Sequence, residues 1–295
     1  MLVHEFGWLH VSSFPEEEKG SVERIVDIAR YLERIAYHGS REPILPTFQA
    51  LHEAHLLAVP FENLDIFLGI AIVLDEPSLW TKIIEHHRGG FCYELNGLFA
   101  LLLRALGFQV DLLSAAVARS TGGVGPEFDH LTLLVHLEQD WLVDVGFGES
   151  FRKPLRMQAG PTQQQNGESY RLEREGEAWV YLVWDGAWTP AYRFHMQPHA
   201  LRDFAAMCRY HQTSPQSTFT QKRVCSLATC SGRITLSDEL LITTSDGERT
   251  ERVLTEQDYR SVLAQEFGIV LSPWASRFNA APYRCRSCLK HNFFQ

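Results

Sequence analysis

Cysteine is scarce in this sequence: six residues, at positions 92, 208, 225, 230, 285 and 288, are spread over 295. That spread excludes a disulfide framework and fits a reducing compartment. Positive charge is in deficit, with 27 Lys and Arg against 36 Asp and Glu and a net charge of -9. A general nucleic-acid surface is thereby excluded, though a local basic pocket for a phosphorylated ligand is not. No apolar run reaches membrane-spanning length, since the richest, Leu98 to Leu106, is interrupted by Arg104. The opening residues Met-Leu-Val-His-Glu lack a basic segment followed by an apolar one, so no secretory signal is expected. Internal repeats and low-complexity tracts are also missing. The expectation is a cytoplasmic globular protein with no membrane and no nucleic-acid partner. Its length suits two or three compact units with a sizeable core.

Periodicity divides the chain into three. Residues 1 to 20 show no clear period. Val22 to Tyr37 presents one apolar helical face and is stopped by Gly39 and the prolines beyond it. Thr47 is the candidate cap of a second helix ending near Pro60, and a third, short helix is expected near Leu79 to His87. After Gly107 the pattern becomes short strands rich in Val and Leu: 108–117, 131–137, 141–145, 170–173, 179–184 and 189–194. Their spacing predicts a small barrel or a curled antiparallel sheet. A helix over 200–210 leads to strands over 232–244 and 248–254, with a hairpin turn at Ser245-Asp246-Gly247, and to a helix over 256–267 capped by Gly268. The fold class is α+β: a helical unit over 1–108, a β unit with its linking helix over 109–210, and a mixed unit with a tail over 211–295.

The chemistry centres on Arg88-Gly89-Gly90-Phe91-Cys92-Tyr93-Glu94-Leu95-Asn96. A flexible glycine pair runs into a cysteine that begins a strong helical pattern. Free backbone N–H groups and the positive dipole end in that first turn favour a thiolate and predict a lowered thiol pKa. Most unpaired cysteines are simply buried and inert, so the assignment of Cys92 as nucleophile needs a base and an orienting acceptor as well. His130 is the preferred base among thirteen histidines, because it opens a strand just after a glycine-rich loop. His136 lies on the same strand face roughly 20 Å away at ~3.3 Å per residue, too far to serve the same cysteine. The candidate acceptor is Asp144, an aspartate between two valines on an expected core strand, costly unless paired. A two-residue turn at Gln139-Asp140 would place Glu149 opposite His130, leaving Asp144 to reach it diagonally or through a bulge.

Pro60-Phe61-Glu62-Asn63-Leu64, the Arg88–Asn96 stretch, His130 and Val143-Asp144-Val145-Gly146-Phe147-Gly148 together resemble the arylamine N-acetyltransferases, from about Tyr31 to Phe267. The resemblance implies an N-terminal helical bundle, a central antiparallel β-barrel and a C-terminal α/β lid around a cysteine-protease- or transglutaminase-like Cys-His-Asp core. It also implies a two-step exchange. Acetyl-CoA acylates Cys92 with His130 as base and Asp144 as its orienter, and an arylamine, arylhydrazine or N-hydroxyarylamine then takes the acetyl group. Gly123, Gly125 and Phe128, in a loop resembling the family's approach to the coenzyme A phosphates, are the candidate cofactor contacts, although a plain turn explains those glycines almost as well. Phe61, Phe91 and Tyr93 are the candidate lining of an aromatic acceptor pocket, or else plain core. Glu62 is expected to pair with Arg88 before Cys92, and Tyr210 to Phe219 resembles the family without revealing a role.

No metal is expected. Cys285, Cys288 and His291 supply three ligands where a structural zinc takes four. Other readings share part of these signals: an amide synthase of the same fold in natural-product biosynthesis, a Cys-His-Asp hydrolase or transglutaminase-like enzyme, and a non-catalytic binding module. The amide synthase shares every motif quoted; dependence on a thioester donor separates the transferase from the hydrolase, and an intact Cys92, His130 and Asp144 speak against the binding module. Neither the preferred amine and acyl donor nor the oligomeric state follows from the sequence.

Overall fold

In the computed structural model, which describes residues 26–120 and 122–271, helices come first: α1 (Ile28–Arg34), α2 (Leu45–Ala58), a two-residue strand β1 (Phe61–Glu62), α3 (Leu64–Leu68), α4 (Glu76–Trp80) and α5 (Cys92–Ala105). The second series is β2 (Gln109–Val117), β3 (His130–His136), β4 (Asp140–Val143), β5 (Leu155–Arg156), β6 (Gln163–Gln165), β7 (Glu168–Glu175), β8 (Ala178–Trp184) and β9 (Trp188–His199). A 3₁₀ turn (Leu201–Phe204), α6 (Ala205–Thr213) and α7 (Thr218–Gln221) cross to β10 (Val224–Thr229), β11 (Gly232–Ser237), β12 (Leu240–Ser245), β13 (Glu248–Val253) and α8 (Glu256–Phe267).

α5 is the axis of the molecule. Eleven of its side chains are buried, Cys92 to Ala100 without a break and then Leu102 and Leu103, as expected for a helix apolar on nearly every face. Gly107, with φ +93°, lets the chain turn off its end. The helices and the outward face of β2 and β3 share one core, to which Leu112, Leu131, Leu133 and Val135 belong. Leu113, Leu134, Tyr181 and Phe194 point the other way into the core of an eight-stranded antiparallel sheet ordered β5-β4-β3-β2-β9-β8-β7-β6.

That sheet curls until its two edge strands meet, and glutamine side chains complete the closure. Gln163 accepts from Arg156 N–H at 2.9 Å and donates back to Arg156 C=O at 3.0 Å; Gln165 does the same to Lys153, at 2.8 Å both ways. The last sheet, β1-β10-β11-β12-β13, borrows β1 from the helical segment, so chain order and spatial grouping interleave there. Among the described residues no helix is long and apolar enough to cross a membrane.

Several local expectations shift. α2 starts at Leu45 with Pro46 in its first turn, so Thr47 lies inside the helix, buried, and is not its cap. The third helix starts earlier, capped by Asp75, and continues as one π-turn over Thr81–Glu85. The strand expected over 232–244 is two strands, because Asp238 adopts φ +50° and reverses the chain. β10 carried too little alternation to be seen in the sequence. The Asp246-Gly247 hairpin, with φ +51° and +83°, has the positive angles that a tight two-residue turn requires. The tail with Cys285, Cys288 and His291, and the residues before Val26, lie outside the described residues.

Candidate active site

Cys92 is the first residue of α5 and is 3% exposed. The two glycines before it are needed for space, not for flexibility. Neither adopts a positive φ, but a Cβ on Gly89 would overlap the Pro60 carbonyl oxygen and one on Gly90 would meet the Glu94 carboxylate at 2.8 Å. The chain must pass that closely because Gly90 and Pro60 are hydrogen-bonded to each other beside β1.

Beneath the loop lies a buried charge cluster. Arg88 Nε is 2.9 Å from Glu62 Oε1 and Arg88 Nη2 is 2.8 Å from Asp65 Oδ1, while Lys82 Nζ is 2.8 Å from both Asp65 and Glu94. The expected Glu62–Arg88 pair is therefore one edge of a five-membered network of three acids and two bases. Its members behave unequally. Burial alone would push Lys82 down, but Glu62, Glu94 and Asp65 together hold it above its usual range. Glu94 has a single ammonium beside it, and burial, with Glu62 and Asp65 opposing a further negative charge, pushes its carboxyl up to about 7. Glu94 also accepts from Phe91 N–H at 3.1 Å and so fixes the start of α5.

The sign of the resulting pH effect follows from linkage. A glutamate with an unfolded pKa near ~4.3 and a raised folded value binds its proton more tightly when folded, so it takes stability away as pH rises from about 4.3 through about 7. Glu94→Gln keeps an acceptor for Phe91 and removes the titration. The urea midpoint of the parent is expected to fall between pH 5 and pH 8 by more than that of Glu94→Gln, and equal slopes would refute this assignment.

His130 opens β3, and its Nε2 lies 2.7 Å from Asp144 Oδ2, both side chains fully enclosed. His136, at the far end of the strand, is held instead by Asp140 and Asp111 at 2.7 and 3.0 Å. The connection between β3 and β4 is three residues, 137–139, because His136 pairs with Asp140. That register brings Gly146, not Glu149, level with His130. β4 ends at Val143, and Asp144 reaches the imidazole as the chain leaves the strand.

Burial alone would raise the Asp144 carboxyl, yet His130, the Asn96 amide at 2.9 Å and Gly146 N–H at 3.0 Å hold it below the usual carboxylate range. Asn96, one turn below Cys92, also donates to Leu131 C=O at 2.7 Å and accepts from Val145 N–H at 2.9 Å. One side chain thus ties the cysteine's helix to the histidine's strand and to the aspartate's turn. Asp144 N–H faces His52 Nε2 at 3.4 Å, and burial pushes His52 down to about 4, so it is a neutral acceptor. Sequence reasoning missed Asn96 and His52. An Asn four residues after the cysteine, and so on the same face of a mostly apolar helix, is the signal available for Asn96.

The expected lowering of the Cys92 thiol pKa is not what its surroundings produce. Burial pushes the thiol up, as do Asp144 and Asp129; only the Leu131 N–H beside the sulfur acts the other way. A thiolate with no cation beside it is therefore disfavoured here.

The remaining candidates fare differently. Phe91 and Tyr93 are fully buried, Phe61 is 7% exposed, and the rings pack within a cluster that includes Phe219, so all three belong to the core around the start of α5. The rings bordering His130 are Phe147 and Tyr192, at 5.1 and 5.2 Å. Phe147 is partly exposed and was not singled out in the sequence. Gly125 is no free amide, because its N–H is hydrogen-bonded to Val117 C=O, and Gly123 C=O accepts from Arg119 N–H. Gly122 and Gly123, at φ +90° and +80°, form a tight hairpin end on β2. Phe128 packs edge-on against His199 and Phe204. Among the described residues no group of three His, Cys, Asp or Glu is arranged to hold a metal ion.

A family profile described as N-acetyltransferase matches residues 44–275. An arylamine N-acetyltransferase of Mycolicibacterium smegmatis is 35% identical over 262 residues, covering 85% of this chain and 95% of its own. The solved arylamine N-acetyltransferase of Salmonella typhimurium superimposes with a TM-score of 0.79 at 32% identity, covering 82% of this chain and 90% of its own. The Mycobacterium marinum enzyme, solved in complex with CoA, gives 0.77 at 31% identity over 82% and 93%.

Proposed function

Because the chain belongs to the arylamine N-acetyltransferase family, a family of acyltransferases, we propose that it moves an acetyl group from acetyl-CoA to arylamines, arylhydrazines or N-hydroxyarylamines through a thioester on Cys92. The observation that carries the reading is the His130–Asp144 contact at 2.7 Å, tied through Asn96 to the helix that begins at Cys92. Cys92, His130 and Asp144 act as nucleophile, base and orienter in a three-unit fold of helical bundle (1–108), barrel with its linking helix (109–210), and lid with a C-terminal tail (211–295).

In the first step the Cys92 thiol gives its proton to His130 and the sulfur attacks the thioester carbonyl. Asp144 steadies the imidazolium, so the pair of charges forms together where a lone thiolate is disfavoured. Backbone N–H groups in the first turn of α5 stabilise the oxyanion. The carbon–sulfur bond to coenzyme A breaks, and coenzyme A leaves with the proton from His130. The amine then attacks the Cys92 thioester, His130 takes its proton, and the thiol is restored. Thioester exchange onto a thiol preserves the reactivity that the amine needs. Gly123 and Phe128 stand near the coenzyme, Phe147 near the acceptor, and a reducing cytoplasmic setting keeps Cys92 free.

Intact mass after mixing with acetyl-CoA alone tests the reading. One added acetyl group that maps to Cys92 and disappears on addition of an aniline or hydrazine is expected. No adduct together with no release of coenzyme A would favour a hydrolase or a binding module instead.

A further inference from the structure

The crossover from barrel to last sheet carries a further histidine–carboxylate contact, one that the chemistry above does not use. His211, on α6, is buried, with its ring stacked on Tyr93 at 6.1 Å and edge-on to Phe219 at 5.1 Å. Its Nδ1 is 3.0 Å from Ser217 Oγ. Its Nε2 is 3.2 Å from Asp129 Oδ1, facing the carboxylate though out of line for a hydrogen bond, and has no other partner among the described residues. A carboxylate opposite Nε2 can only accept, which favours the His211 proton on Nε2 and leaves Nδ1 to accept from the Ser217 hydroxyl, whose oxygen also accepts from Phe219 N–H at 3.2 Å.

Asp129 is the residue before His130. Its carbonyl and that of Phe128 both accept from the Tyr93 hydroxyl, at 3.1 and 2.7 Å, and Tyr93 is the residue after Cys92. Phe128 sits at φ +63°, a conformation that a bulky residue rarely adopts, and its N–H donates to Ser114 Oγ at 2.7 Å. Strain of this kind persists only where the surroundings over-determine it. The turn that delivers His130 into β3 is fixed by Ser114 from the barrel, by Tyr93 from the cysteine's helix and by His211 from the crossover.

We propose that His211 is a positioning residue, whose contact with Asp129 holds the Phe128–Asp129 turn and through it sets the His130 ring against Cys92. The inference rests on the roles given to Cys92 and His130 above. Plain packing would be met as well by phenylalanine among these aromatic neighbours, and that defines the test. His211→Phe keeps the stack on Tyr93 and loses the proton facing Asp129, whereas His211→Gln keeps an N–H of similar reach.

The readout is the rate of Cys92 alkylation by iodoacetamide as a function of pH, followed on the Cys92 peptide by mass spectrometry, beside kcat and KM with acetyl-CoA. In His211→Phe we expect alkylation to fall on the order of tenfold at neutral pH and its midpoint to rise by about one unit. The kcat should fall with KM unchanged, and His211→Gln should recover most of the loss. A folded His211→Phe with the parent's alkylation profile overturns the proposal. Should that variant not fold, Asp129→Asn decides. Removing the carboxylate charge would by itself lower the Cys92 midpoint, so a rise supports positioning and a fall overturns it. A parent protein that alkylates but is never acetylated sinks the acyl-transfer reading alone, and the alkylation comparison still decides on His211.

Discussion

Cys92→Ala is expected to lower acetyl transfer by on the order of 10⁴-fold or more while the fold survives, since groups that act as a unit in covalent catalysis fail together when the nucleophile is removed. The cost in stability is small. The thiol is 3% exposed and a methyl group replaces it, leaving a gap worth about 1 kcal/mol. The helix start does not depend on the thiol, because Glu94 and the packing of Phe91 hold it. The checks are coenzyme A release in the presence of an aniline, intact mass with acetyl-CoA, and a thermal melt. Turnover in a clean preparation, or an acetyl adduct on the variant, would sink the thioester mechanism. A protein that fails to fold would instead show that the Cys92 side chain is structural.

The largest expected effect on stability comes from behind the site. Arg88→Met leaves three buried carboxylates, Glu62, Asp65 and Glu94, facing Lys82 alone. Breaking a buried pair by removing one partner costs about 3–5 kcal/mol, because the other charge stays desolvated. In a chain of this size that lowers the melting temperature by roughly 10 °C. Arg88→Lys should fall in between, since an ammonium cannot bridge Glu62 and Asp65 as the guanidinium fork does. Activity should drop in the same order, because the cluster fixes the loop that enters Cys92. A melting temperature for Arg88→Met within two degrees of the parent would mean that the cluster relaxes or takes up protons without cost.

Much of this was legible before any coordinates. The 3.6-residue recurrence from Cys92 to Leu106 defined the central helix, and the placement of His130 beside a loop separated it from His136, which the structure gives to Asp111 and Asp140. What was not legible depends on three-dimensional context. Strand periodicity does not decide between a two-residue turn at 139–140 and the three-residue turn at 137–139, and the resulting three-residue shift in register moves every partner of His130. The thiol's environment is not legible because the helix terminus is written in the sequence and burial, which pushes the thiol up, is not. The core packing of Phe91 and Tyr93 is not legible either, since an aromatic beside a nucleophile reads alike in sequence whether it faces a ligand or the core. Asn96 and His52 act through contacts 35 to 100 residues away in the chain, where local pattern has no reach.

The glutamine seam has a kinetic consequence. A ladder of main-chain bonds opens only as a unit, whereas the closure between β5 and β6 rests on two side chains that can swing out on their own rotamers. The barrel therefore has a built-in zip along one line of its wall. Amide protons of Lys153 and Arg156 should trade for deuterium by local opening, far sooner than those of β2 and β3 on the opposite wall. Where Gln163→Ala and Gln165→Ala together remove the latch, that exchange should quicken with little change in the melting temperature.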